Sequence, residues 1–316
     1  KNLISFSIFL RIEHSEILVM LKLIMDIINI SEKFMTNAIR EYPPHQKSEN
    51  IEYKTYKHFY KNKLNVKSNL KYLPLQWTNY YVHNNYGKSL SELQEFYDNL
   101  PKEKYFTITQ YAGGPLIDIN NCIVFSSGGM FNTKLNDNLS YVPIPLLSDN
   151  HNPQLKSVED RKYLASYIGR NTHKIREDME DILYRQKQYY VKNLKNMSIA
   201  QKDSKTFKSI MADSIFSLCP RGFGPTSFRL YEALEFNTIP IIISDELFLP
   251  YREILNWDEF SLIIHPDNIS EIPFIIEELV NKNKHYEMLD RVNYVYGKYF
   301  NFEFLYKYIS EVIERF

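Results

Sequence analysis

This sequence predicts an α/β fold of two domains, each a parallel sheet flanked by helices. Three observations carry that expectation. Residues 213–245 read as strand, Gly/Pro loop, helix, short turn, strand, and about 30 residues joining two apolar strands through a helix make a βαβ crossover. Short apolar runs alternate with amphipathic stretches on both sides of that unit. A polar stretch at 147–161, holding Pro153 and several Asn and Asp, separates two strand-rich halves of the 316 residues. The expected domains are 1–155, with 1–50 as a helical extension, and 156–316.

Composition narrows the class. With 44% apolar and 24% charged residues, the chain resembles soluble globular proteins. A formal net charge of +0 offers no basic field to nucleic acid or anionic lipid, so no nucleic-acid partner is expected. Cys122 and Cys219 sit in strand-like contexts, which argues against a disulfide framework and for a reducing, cytoplasmic location. The 15% aromatic fraction suits a sugar-handling cleft, but joint enrichment in Lys, Asn, Ile and Tyr is more simply the mark of an AT-rich genome.

Taken in order, the chain opens on Lys1 and not Met, as a fragment would. Arg11, Glu13, His14 and Glu16 follow the first apolar run without a small-residue cleavage site, so no signal peptide is read. The run at 17–30 contains Lys22 and Asp26 and is too short to span a bilayer. It reads as an amphipathic helix packed on the domain, with peripheral membrane association as the lesser reading. Residues 41–72, with Pro43-Pro44, read as surface loop and short helix. Residues 72–84 read as a strand opening into a loop; Trp77, Tyr80 and Tyr81 serve either the core, the preferred reading, or acceptor-sugar stacking. A helix over 89–101 is capped by Ser89 or Ser91 and closed by Pro101. Strands follow in 105–114, running into Gly113-Gly114, in 122–130, running into Ser126-Ser127-Gly128-Gly129, and at 141–147.

In the second half a strand at Tyr163–Ile168 ends at Gly169, and a helix from Thr172 turns Ile175, Met179 and Ile182 inward. A helix at 203–212 precedes the central unit. There, Ile215–Leu218 is a strand, Cys219–Thr226 a loop, Ser227–Phe236 a helix and Ile239–Ile243 a β-branched strand buried on both faces. A strand at 261–266 and helices at 269–283 and 300–316 complete a doubly wound domain.

The central loop has the chemistry of an anion site. Gly222 and Gly224 permit close backbone approach and positive φ. Thr226 and Ser227 offer hydroxyls and N–H groups at a helix start. Arg229 and Glu232, three residues apart, share a helix face. Either Arg229 meets a diphosphate and Glu232 takes ribose hydroxyls, or the two form an ion pair on a solvated face. Arg170, His173, Lys174 and Arg176 cluster at another helix start, where cations are unfavourable unless an anion sits there. The alternative is a basic helix face neutralised by Glu177, Asp178 and Glu180.

The run from Phe216 to Tyr251, followed by 255–264, resembles the exostosin-type glycosyltransferases, glycosyltransferase family 47. Cys219-Pro220, Gly222, Ser227, Arg229, Glu232, Ile239-Pro240, Asp245, Pro250 and Trp257-Asp258 carry the resemblance in that order. Asn237-Thr238 stands where the family commonly has Gly-Cys, and Asn tolerates the left-handed turn needed there. With weaker likeness upstream, the resemblance runs from about Leu73 onward. It implies a GT-B enzyme, two Rossmann-like domains facing across a cleft, that moves a sugar from a nucleoside diphosphate, UDP first, to an oligosaccharide, glycolipid or glycoprotein with inversion. Donor contacts would come from Gly169, Arg170, Arg176, Cys219, Pro220, Gly222, Gly224, Thr226, Ser227, Arg229, Glu232 and Asp245. Asp118, just after the Gly-Gly turn, is the candidate base and His173 the second candidate.

Other chemistries lack their motifs. There is no CxxC, HExxH or EF-hand loop, no DxD triplet and no GxSxG elbow, so neither cofactor nor metal is expected. A nucleotide-sugar-binding protein without catalysis is the alternative function. A dehydrogenase is a distant third, because no acidic residue follows an intact GxGxxG.

Overall fold

The computed structural model describes residues 26–35, 49–62, 68–88, 90–130, 139–147, 151–194 and 204–316. Two sheets, both wholly parallel, organise them. The first runs β1 (Lys71–Tyr72), β2 (Tyr105–Thr109), β3 (Cys122–Ser126), β4 (Leu139–Pro143) in that spatial order. The second contains β5 (Tyr163–Arg170), β6 (Tyr189–Leu194), β7 (Ser214–Pro220), β8 (Ile239–Ile243) and β9 (Leu262–Ile264), in the order β6-β5-β7-β8-β9. All five residues of β2, β3 and β8 are buried, as unbroken apolar strands covered on both faces must be.

The expected strand at 72–84 is instead a helix, α2 (Trp77–His83), after the two-residue β1. A tertiary contact starts this helix: the Thr78 N–H is accepted by the Glu52 carboxylate at 3.1 Å. Glu52 belongs to α1 (Ile51–Asn62), which lies in the stretch read as surface yet buries Ile51, Glu52, Thr55 and Phe59. Trp77, Tyr80 and Tyr81 are core residues, and Trp77 Nε1 donates to Thr107 Oγ1 at 2.8 Å. The helix α3 (Ser91–Asp98) starts from Leu90 without a side-chain cap. Ser89, Pro43-Pro44 and residues 17–25 of the expected amphipathic helix lie outside the described residues, whereas 26–30 is not helical and Ile27 bridges Tyr72.

In the second unit α4 (Lys174–Leu183) buries Ile175, Met179 and Leu183, a clean i, i+4, i+8 stripe, and Ile182 is 42% exposed. That phase also turns Arg176 inward. The edge strand β6 was not expected; Lys192 and Asn193 break its apolar pattern. Around the second sheet stand α5 (Ser204–Ala212), α6 (Phe228–Glu235), α7 (Ile272–Asn281) and α8 (Lys284–Tyr299). The unexpected α8 buries Met288, Leu289, Val292 and Val295, a helical period plain in the sequence. Asn237 takes φ +48 in the turn after α6. The last helix, α9 (Phe302–Ile313), returns to the first unit: His58 stacks on Tyr306 and Ser68 Oγ donates to the Ile313 carbonyl at 2.8 Å.

Candidate active site

Strand order places the site. In β6-β5-β7-β8-β9 the winding reverses between β5 and β7, and open α/β sheets bind ligands outside the carboxyl ends at such a point. Here the two strands also part. Their register ends at Ser166 and Ser217, while β5 stays on β6 to Arg170 and β7 stays on β8 to Pro220. The carbonyls facing the gap need donors. Two arginines supply them. Arg176 donates from Nη1 to Arg170 O (2.8 Å), from Nη2 to Pro220 O (3.2 Å) and from Nε to Arg221 O (2.9 Å). Arg229 donates from Nη2 to Ile168 O at 2.6 Å. Their guanidinium carbons lie 5.8 and 5.5 Å from the ring centre of Tyr167, whose hydroxyl would collide with any Cβ on Gly169.

This geometry revises several expected roles. Arg176 is a buried strut across the split strands, with three of its five N–H donors on carbonyls. Arg229 and Glu232 do pair, Nε to Oε2 at 3.2 Å, but not on a solvated face: their side chains are 12% and 7% exposed. Glu232 also has His151 Nε2 at 3.5 Å from Oε1. Burial by itself lowers the His151 pKa, and Glu232 with Glu235 outweighs it and raises it. Cys219 and Pro220 end β7 and are not loop residues; burial pushes the Cys219 thiol up to about 12. Cys122 is likewise a buried free thiol.

The residue that sequence reading missed is Arg221, although it stands inside the loop between Pro220 and Gly222. It follows β7 directly, pairs through Nη1 with Asp245, and is buried with its Nε lacking a protein partner. The Arg221 bond holds the Asp245 carboxyl below its ordinary range. Thr172 Oγ1, near Gly222, is also buried without a partner. His173 caps α4, Nδ1 accepting from Ile175 N–H at 3.3 Å, so the neutral ring carries its proton on Nε2. Burial, then Arg221, lowers its pKa. The ring therefore offers a neutral donor and not a base. Ser227 caps α6, accepting from Arg229 N–H at 3.1 Å. Arg170, Arg176, Arg221 and Arg229 thus gather at one edge, and among the described residues their carboxylate ion pairs are Arg221 with Asp245 and Arg229 with Glu232. Lys174 is exposed.

The first unit forms the opposite wall. A Cβ on Gly224 would fall 2.2 Å from Gly128 O and 3.0 Å from Ala112 Cβ, and one on Gly129 would fall 2.4 Å from Pro225 Cδ. Gly222 and Gly224 therefore provide close approach without positive φ, whereas Gly114 and Gly129 take φ +69 and +120. Asp118 is not on this wall. Its backbone exchanges two hydrogen bonds with Gln94 of α3, and the residue is exposed.

The family model described as the Exostosin GT47 domain matches residues 108–279, more than half of the chain. The chain belongs to the exostosin GT47 family. The match runs from β2 to α7 and so takes in both walls of the cleft. Two parallel α/β units meeting at their carboxyl-end loops give this GT47 chain the GT-B architecture. It is similar to a "Probable glucuronosyltransferase" of Oryza sativa subsp. japonica, 36% identical over 90 residues, which is 28% of this chain and 22% of that protein. It is also similar to a "Probable beta-1,4-xylosyltransferase" of Arabidopsis thaliana, 33% identical over 90 residues, again 28% and 22% of the two chains. The aligned stretch therefore spans about a fifth of the curated relatives. Among solved structures the chain is similar to TarM, with a TM-score of 0.42 and 14% identity over 68% of this chain and 51% of that one. Among the described residues no helix is long and apolar enough to cross a membrane, and no three His, Cys, Asp or Glu are grouped as for a metal ion.

Proposed function

We propose that this GT47 chain transfers a sugar from a nucleoside-diphosphate sugar, UDP being the first nucleotide to test, to a glycan acceptor in polysaccharide synthesis. The observation that carries the reading is the split between β5 and β7, lined by arginines that outnumber their carboxylate partners and faced by glycine loops of the other unit. In such a transfer the acceptor hydroxyl attacks the anomeric carbon, its proton leaves to a base, and the bond to the diphosphate breaks. Negative charge grows on the leaving group, and fixed cations and N–H donors placed there before reaction lower the barrier. Arg221, with a buried Nε lacking a protein partner, and the Nε2–H of His173 suit that task. The relatives' names, glucuronosyl- and xylosyltransferase, favour an active enzyme over a binding protein without catalysis.

A thermal-shift panel of UDP, GDP, ADP, CMP and NAD tests the donor. A ligand that binds only the folded state stabilises it by mass action, by about 2.7 kcal/mol at a hundred times its dissociation constant. One nucleoside diphosphate should raise the melting temperature and NAD should not. If none of the five moves it, the donor site is wrong. Release of UDP from a UDP-sugar in the presence of glycan then separates the enzyme from the binding protein.

The charge at the site also makes a metal unnecessary on this reading. Transfer should survive EDTA. Complete loss in chelator, restored by manganese, would show that a divalent cation and not the arginines meets the diphosphate.

A further inference from the structure

The acceptor-side wall rests on a carboxylate that no motif points to. Glu52, in the first turn of α1, is 1% exposed. Its Oε1 accepts from the Gln110 N–H at 2.7 Å and from Thr78 Oγ1 at 2.7 Å, and its Oε2 from the Thr78 N–H at 3.1 Å. The neighbouring Ile51 N–H donates to Gln110 Oε1 at 3.1 Å. Both described anchors of Gln110 other than its chain neighbours thus come from the start of α1, because its Nε2 is buried without a protein partner. Two residues on, Ala112 touches Gly224 and Gly129, and the Gln110 and Tyr111 backbone lies against Gly128. The path from Glu52 to the donor loop is two residues of backbone and one contact.

We propose that Glu52 is a positioning residue for transfer, holding residues 110–114 against the 222–226 loop by fixing the Gln110 N–H from beneath. The word acceptor here rests on the functional reading above; the mechanical role does not. Glu52 is buried too deeply to touch substrate. Burial raises its carboxyl pKa to about 7, and the Gln110 and Thr78 bonds only partly offset that. The titratable groups that sense it are Tyr72 and Tyr81, both buried phenols that burial holds protonated. The sign follows from linkage. A carboxyl of pKa about 7 when packed against Gln110 and 4.5 when hydrated holds its proton longer when packed. Its contribution to this packing is full below 4.5 and is lost as pH rises toward about 7.

The test is amide hydrogen exchange of 110–114 in the free protein, corrected for intrinsic rate, from pH 5 to 8. Protection in the wild type should fall as pH rises to about 7 and then level. Glu52→Gln, which keeps the shape but cannot titrate, should be flat with pH and exchange faster by roughly tenfold at pH 5, as expected for one weakened hydrogen bond to a buried group. In turnover, Glu52→Gln should raise the acceptor KM. A Gln110 amide that exchanges in the wild type at its intrinsic, unprotected rate would overturn the proposal even if the variant fails to fold. So would a foldable variant that matches the wild type in both pH profile and KM. Absence of turnover in the wild type would remove the glycosyltransferase reading and leave the exchange experiment to decide Glu52.

Discussion

Replacing Arg176 with methionine is expected to lower the unfolding free energy by about 3 kcal/mol or more with no nucleotide present. Methionine preserves helix propensity and much of the length of the side chain. What it removes are the donors to Arg170 O, Pro220 O and Arg221 O, three carbonyls at the split between β5 and β7. Arg170 O keeps the Tyr167 hydroxyl at 3.3 Å, whereas Pro220 O and Arg221 O lose this donor at a cost on the order of 1–3 kcal/mol each, and the costs overlap because the carbonyls share one guanidinium. Urea titration of the nucleotide-free protein measures this directly. Were Arg176 chiefly a diphosphate ligand, the variant would be as stable as the wild type alone and would lose only its response to UDP.

Arg221→Leu is expected to behave in the opposite way. Its partner Asp245 is 47% exposed, so the ion pair is screened and contributes roughly 0–1 kcal/mol to stability. The loss should appear instead where negative charge develops, as a fall of about 10²–10³ in the rate of transfer, the usual size for one missing stabilising donor. UDP affinity should fall with it. Urea titration and isothermal calorimetry on the same sample separate the two readings. A variant with unimpaired UDP binding and transfer would make Arg221 a structural partner of Asp245 alone and leave the leaving group to other donors.

Some of this was legible without coordinates. The β-branched run at 239–243, the Gly/Pro loop before Phe228 and the apolar period of the following helix each depend on neighbours a few residues away. Those neighbours are in the sequence. Asn237 was readable for the same reason: an Asn directly after a helix can take the left-handed turn, and it does, at φ +48. By contrast α2 was misread as strand because its aromatic, β-compatible residues start a helix only when Glu52, 26 residues upstream, accepts the Thr78 N–H. Asp118 is near Gly114 along the chain, but its backbone is held by Gln94 of α3.

The class of fold, the central crossover and the gathering of basic residues near two loops follow from neighbouring residues along the chain. Local periodicity, turn chemistry and charge are properties of adjacent residues, and they act before any long-range contact forms. Tertiary structure alone decided which arginine does what. Arg176 and Arg229 became struts because β5 and β7 part beyond Ser166 and Ser217, leaving carbonyls that had to be met. Arg221 kept one donor without a protein partner because it follows its strand directly, with Asp245 engaging one end of the guanidinium. A hydrogen bond requires a partner in space, and where two strands separate is set by the sheet and not by either strand's residues.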